Sequence, residues 1–144
     1  MQVFIAYTEK SLIGDLTRTL YAWDRVQKSE PVAIQVPEKK YELIRRVTAE
    51  NMSEGDYILA DIGCVPNSEL VVKEISAILE GDEKVGMIQF SPEGAVRACR
   101  KGIIEKWPQN KSGLYQQEHE QAYLTEGYKV SKWPSLRYRR LDVH

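Results

Sequence analysis

An α/β fold, with a mainly parallel sheet covered by helices on both faces and an irregular C-terminal half, is what the pattern of this chain predicts. Short apolar, β-prone runs alternate with stretches of helical periodicity from residue 2 to residue 90. The strand-like runs are apolar through their middles, as strands buried on both faces are. After Phe90 the alternation loses its regularity. A βαβαβαβ order of this kind requires crossovers and therefore parallel strands, a Rossmann-like arrangement.

Residues 2–7 (Gln-Val-Phe-Ile-Ala-Tyr) form the opening strand of that reading. Between residues 11 and 28, Leu12, Leu16, Leu20 and Trp23 recur at helical spacing, with Asp15 near the helix's positive end. Residues 31–36 are apolar and β-branched, stop at Pro37, and predict a second strand. Residues 39–52 predict a helix with Leu43, Ile44 and Val47 inward and Arg45, Arg46 and Glu50 partly outward. Residues 56–61 (Asp-Tyr-Ile-Leu-Ala-Asp) give the clearest strand. Asn67 or Ser68 then caps a helix whose core stripe is Leu70, Val71, Ile75 and Ile78, and Gly81 stops it. Residues 85–90 are the next strand. Beyond it, residues 94–101 read as a strand, 102–107 as a short helix and 115–126 as a longer one. Residues 127–130 and 136–139 read as short terminal strands.

At 144 residues, with 42% apolar and 28% charged residues, the chain is expected to form one domain with a real core. Residues 1–90 are expected to be the nucleotide-binding half and 91–144 the acceptor-side half. A net charge of −1 excludes a strongly basic, nucleic-acid-coating protein. No apolar run reaches the ~18–20 residues of a membrane span, and no signal-peptide core is seen. A cytoplasmic protein without a membrane anchor is therefore expected. Cys64 and Cys99 are too few for a disulfide framework and predict free thiols.

Open α/β sheets bind ligands outside the carboxyl ends of their strands. Tyr7-Thr8-Glu9, Pro37-Glu38, Asp61-Ile62-Gly63-Cys64 and Ser91-Pro92-Glu93 are thereby expected around one crevice. From Tyr41 to Asn67, a helix bearing Arg45 and Arg46 leads through Glu-Gly-Asp-Tyr into the strand ending at Asp61, then to Pro66. This order resembles the GT-A glycosyltransferases, whose strand-end acids hold the ribose and a divalent metal on the diphosphate. The resemblance implies a nucleotide-sugar donor bound near Tyr7, Thr8, Arg45, Arg46, Asp61, Gly63 and Arg100. Gly63 stands at the family's second acid position, which puts the metal motif in question.

Two later blocks extend the resemblance. Residues 94–108 look like the acceptor-side segment, a strand ending in Arg before a short helix. Residues 115–130 resemble a block whose acid opens a helix and acts as general base on the acceptor hydroxyl. Glu118, His119 and Glu120 are the candidates it implies. The closing segment ends in His144, which with Asp142 and Asp61 is the expected ligand set for Mn²⁺ or Mg²⁺. Arg97, Arg100 and Lys101 are the cations that would replace a metal. Lys129, Lys132, Arg137, Arg139 and Arg140, interleaved with Trp133 and Tyr138, suggest a nucleic-acid or glycan acceptor on a basic, aromatic surface. A charged edge strand is the plainer account of the same residues. A homodimer is expected to complete the acceptor side. Two other readings stand beside this one. One is a nucleoside deoxyribosyltransferase-like or TIR-like enzyme using Asp61, Glu69 and Glu74; the other is a non-catalytic nucleotide-sugar-binding domain.

Overall fold

The computed structural model describes residues 1–26, 30–36, 55–90, 95–103, 116–133 and 138–141, without the side chains of 116–118. In chain order these residues form β1 (Gln2–Tyr7), α1 (Ile13–Asp24), β2 (Val32–Gln35), β3 (Tyr57–Asp61) and β4 (Cys64–Pro66). They continue through α2 (Val71–Gly81), β5 (Val85–Gln89), β6 (Val96–Cys99), α3 (Gln116–Thr125), β7 (Lys129–Lys132) and β8 (Tyr138–Arg140). The helix expected over 39–52 lies outside the described residues, as does the part from residue 104 on of the one expected over 102–107. Gly102, expected to open the latter, sits in a turn at φ 92.

Six strands make one sheet in the order β2-β1-β3-β6-β5-β7, and β4 pairs with β8 in a separate ribbon. β1 is parallel to both β2 and β3, and β5 is parallel to β7. β6 runs antiparallel to both of its neighbours, so β3 and β5 point the same way. The predicted mainly parallel α/β sheet is thus the observed one, with β6 as its single reversed strand.

Strand alternation divides the core into two layers. On one face Val3, Ile5, Ile58, Ala60, Ile88 and Ala98 pack with Trp23 of α1 and Val71, Ile75 and Leu79 of α2. On the other, Phe4, Tyr57, Leu59, Met87 and Cys99 pack with Ala122 and Tyr123 of α3. α3 lies close to β5 because Gly86 has no Cβ, which would stand 2.6 Å from both Tyr123 and Tyr128.

Both predicted helical stripes face the core, with Trp23, Val71 and Ile75 buried and Leu16, Leu20 and Ile78 packed against it, but the leading leucine of each is exposed. Leu12 is the N-cap of α1 and half exposed, while Asp15, Thr19 and Trp23 are the buried positions. Thr19 goes inside because its hydroxyl oxygen accepts the Gly63 N–H at 2.9 Å. Leu70 likewise precedes α2 and is exposed, and Leu79 takes the core place expected for Ile78. Ser68 accepts the Leu70 N–H at 3.1 Å, just ahead of that helix. The β4 strand was not expected, since its partner lies at the far end of the chain.

Candidate functional site

β1 and β3 end side by side, with Ala6 opposite Asp61. Tyr7 accepts the Val36 N–H at 2.8 Å, and Thr8 and Ser11 exchange bonds that shape the turn into α1. Tyr7, Thr8 and Asp61 are all half-buried at this end of the sheet. These three residues lie where the sequence expects them. Arg45, Arg46, Asp142 and His144 lie outside the described residues, as does the side chain of Glu118.

Gly63 is not a ligand-facing position. It is buried, its φ is 87, its N–H bonds Thr19 and its carbonyl accepts the Leu141 N–H at 2.7 Å. A side chain there would be forced into the left-handed region, so the turn itself selects glycine.

Arg100 is the clearest correction. Because β6 is antiparallel, its C-terminus lies at the end of the sheet where β3 and β5 begin, away from Asp61. Arg100 there donates to the carbonyls of Val85 (2.8 Å), Leu79 (2.7 Å) and Asp82 (3.0 Å). It also stacks over the Tyr128 ring. The Leu79 and Asp82 carbonyls end α2, the negative pole of that helix, while Val85 opens β5. Lys101 shares this end, its N–H donating to Asp56. Neither can reach a donor at the opposite end.

His119, a candidate base, is 1% exposed and has both ring nitrogens engaged. Arg97 Nη1 lies 2.9 Å from Nδ1, and a guanidinium can only donate. Nδ1 therefore accepts, and the ring proton sits on Nε2, 3.3 Å from the Tyr57 hydroxyl. Tyr123 gives its own proton to the Arg100 carbonyl at 2.8 Å, so it accepts from Tyr57 at 3.1 Å. From Arg97 Nη1 through His119, Tyr57 and Tyr123, each donating group along this line has an assignable acceptor, the last being the Arg100 carbonyl. Burial, and then the Arg97 charge, hold the His119 imidazole well below its ordinary pKa. Burial raises Tyr57 well above its ordinary value and pushes the Cys99 thiol up to about 12. His119 is thus a neutral residue of the core, closed off from solvent.

Glu120, the next residue, is half-buried and accepts a bond at 3.1 Å from Gln89 Nε2. Gln89 is the last residue of β5 and is itself buried, so it fixes Glu120 at the strand ends that include Asp61. Sequence reasoning did not find Gln89. An amide at the end of an apolar strand was the available signal.

The C-terminal ribbon also reaches this end. Cys64 lies opposite Arg140 and Val65 opposite Arg139. Alternate residues face different ways: Arg139 lines a cavity of about 200 Å³ with Arg25, Asn67 and Ser68. The expected aromatic platform is not available there. Tyr138 is buried, and Trp133 packs edge-on against Phe90 within the core. Lys129 sits at the other end, paired with Asp82 at 3.0 Å. Cys64 and Cys99 are both free and buried. Among the described residues no cluster of three metal-ligating side chains occurs, and no helix is long and apolar enough to cross a membrane.

Solved structures with a similar fold include a mannosyltransferase from Pyrobaculum calidifontis in complex with GDP-Man and Mn²⁺. It matches 94% of this chain and 55% of its own, at TM-score 0.65 and 9% identity. A Drosophila β-1,4-galactosyltransferase 7 mutant, in complex with manganese, UDP-Gal and xylobiose, matches 98% of this chain and 70% of its own. Its TM-score is 0.55 and its identity 10%. The chain shares its α/β fold with both of these proteins. A protein from STIV is also similar, over 99% of this chain and 86% of its own, at TM-score 0.56 and 8% identity. The chain spans about half the length of the mannosyltransferase. No family model and no curated protein matches it.

Proposed function

We propose that the chain is a glycosyltransferase that moves a sugar from a nucleotide-sugar donor to a hydroxyl acceptor. The reading rests above all on the common direction of β3 and β5, which puts Asp61 and the Gln89-held Glu120 at one end of the sheet. The likeness of fold to two transferases that bind nucleotide sugars supports it. Tyr7, Thr8 and Asp61 form the donor side in this reading, with Arg45 and Arg46. Glu120 is the base, with Glu118 as its competitor. The acceptor oxygen bonds to the anomeric carbon and its proton passes to the carboxylate. The bond from that carbon to the diphosphate oxygen breaks, and the electron pair leaves with the nucleotide. A glycan hydroxyl suits the acceptor better than a nucleic acid, because Trp133 and Tyr138 are taken up by the core. A second copy of the chain is the proposed source of the remaining acceptor wall.

A divalent metal belongs to the proposal, because both transferases of similar fold are complexes with manganese. Mg²⁺ and Mn²⁺ take several oxygen ligands. Among the described residues the β3 end offers the Asp61 carboxylate, while Gly63 offers no side chain and holds a turn. Asp142 and His144, the other expected ligands, lie outside the described residues, and no step here passes through the ion.

Thermal-shift screening tests the proposal, since a ligand selective for the native state raises its stability. UDP-sugars and GDP-sugars are expected to raise Tm by several degrees, while free nucleosides and NAD do not. Asp61→Asn is expected to leave the unliganded Tm within a few degrees and to shrink the ligand shift. A response confined to nucleosides or NAD would instead select the N-glycosidic-bond chemistry. Donor binding with no turnover on any acceptor would select a non-catalytic binding domain.

A further inference from the structure

We propose that the cleft between the end of α1 and the β4–β8 ribbon binds a phosphorylated sugar, at a second site on the α1 side of the sheet. It stands apart from the transferase reading, since neither Asp61 nor Glu120 lines the cleft.

Three segments far apart in sequence build this cleft of about 200 Å³. Arg25 is the C-cap of α1, residues 66–69 lead from β4 into α2, and Arg139 lies on β8. Their relative placement is held from within. The Trp23 indole N–H donates to the Cys64 carbonyl at 2.8 Å, and Val65 stands opposite Arg139 in the ribbon. Trp23, Cys64 and Tyr138 share one core layer, whereas α3, which carries Glu120, packs on the other face of the sheet.

The charge pattern points to an anion. Arg25 and Arg139 both line the cleft, and among the described residues neither guanidinium pairs with a carboxylate. The negative end of α1 accounts for Arg25 alone. It does not account for a second arginine brought to the same cleft from β8 against like-charge repulsion. Arg25 lies over the Tyr21 ring, 5.8 Å from its centroid, a contact that uses none of its N–H donors. Planar forks of donors from two different elements suit the oxygens of one phosphate group. Ser68 adds to them. Its oxygen accepts the Leu70 N–H at 3.1 Å, which leaves its own hydroxyl proton to donate.

The rest of the lining asks for more than a bare anion. A carboxylate from Glu69 would repel phosphate, but it accepts from sugar hydroxyls, and the Asn67 amide serves them as well. Val26 and Pro66 give an apolar wall for a ring face. The volume is well above the ~30 Å³ of one water and below the ~300 Å³ where drug-sized pockets begin. One sugar ring with its phosphate falls between those limits.

The test titrates the isotope-labelled full chain with inorganic phosphate, glucose 6-phosphate and glucose at low salt, and follows backbone amide NMR shifts. Glucose 6-phosphate is expected to move the amides of Arg25, residues 67–69 and Arg139, and to bind more weakly as salt is added. Inorganic phosphate is expected to bind ~10-fold more weakly, and glucose not to bind. Arg25→Gln and Arg139→Gln are each expected to weaken glucose 6-phosphate binding roughly 10-fold, the scale of one lost charge-assisted contact. Both side chains are exposed, so both variants are expected to melt within a few degrees of wild type. Shifts centred on Asp61 instead, or binding that is the same in both variants as in wild type, overturn the proposal. So does an absence of binding by all three compounds. Equal binding of inorganic phosphate and glucose 6-phosphate overturns the sugar part of it. The transferase reading is decided separately, by the response to UDP-sugars and GDP-sugars.

Discussion

At the end of the sheet where β3 and β5 begin, Arg100 donates to three carbonyls, Lys129 pairs with Asp82, and Lys101 is tied through its backbone to Asp56. At the end where those strands finish, Asp61 and Glu120 stand with Arg140, and the partner that fixes Glu120 is a neutral amide. The cations of the first end close helix α2 and join strands. The charges of the second end lie beside turns and strand ends that are already satisfied by backbone bonds, such as Gly63 with Thr19 and Leu141. Charge alone therefore does not mark the proposed site. The direction in which each strand delivers its last residue does.

The largest effect that tests this contrast is on chemistry. Glu120→Gln is expected to lower turnover by ~10²–10⁴-fold with donor affinity retained, as loss of a general base does. Unchanged turnover would move the role to Glu118.

Arg100→Ala addresses the opposite end. Loss of three carbonyl partners is expected to cost about 3 kcal/mol and lower Tm by roughly 10 °C, with nucleotide affinity of the folded protein unchanged. Preserved Tm with lost affinity would reverse the assignment of the two ends.

The smallest effect is a pH slope from the buried network between them. Unfolded His119 takes up a proton below about 6.5, while the buried ring stays neutral because its folded pKa is depressed. The unfolded state then binds more protons, so stability is full above about 6.5 and falls as pH drops toward the folded pKa. The slope is at most ~1.4 kcal/mol per pH unit. Urea unfolding at pH 7 and 5.5 is expected to show a smaller loss in His119→Gln than in wild type. Equal losses would mean that His119 is already protonated in the fold.

Much of the N-terminal half was legible because its signals are local. The Asp-Tyr-Ile-Leu-Ala-Asp run gave β3 and put Asp61 at its end, and β1, β2, α2 and β5 were placed within a few residues of their observed bounds. The stripes of α1 and α2 missed only at single positions, the exposed Leu12 and Leu70 and the buried Thr19 and Leu79. Whether Leu12 or Thr19 faces inward depends on where the first helical turn starts and on a Thr19–Gly63 bond, neither of which periodicity records.

By itself, then, the sequence determined the α/β class, the parallel framework and the strand-end acid, since apolar period and turn residues act over a few neighbours. Tertiary structure decided the rest. A four-residue strand such as β6 carries no mark of its direction, and that direction sent Arg100 to the far end. Whether His119 meets solvent or Arg97 depends on which face of α3 lands on the sheet, a choice made by Ala122, Tyr123 and the missing Cβ of Gly86. Arg140 meets the turn at Gly63 only because β8 crosses back to β4, and pairing between such distant segments is set by the closed sheet and not by either strand alone.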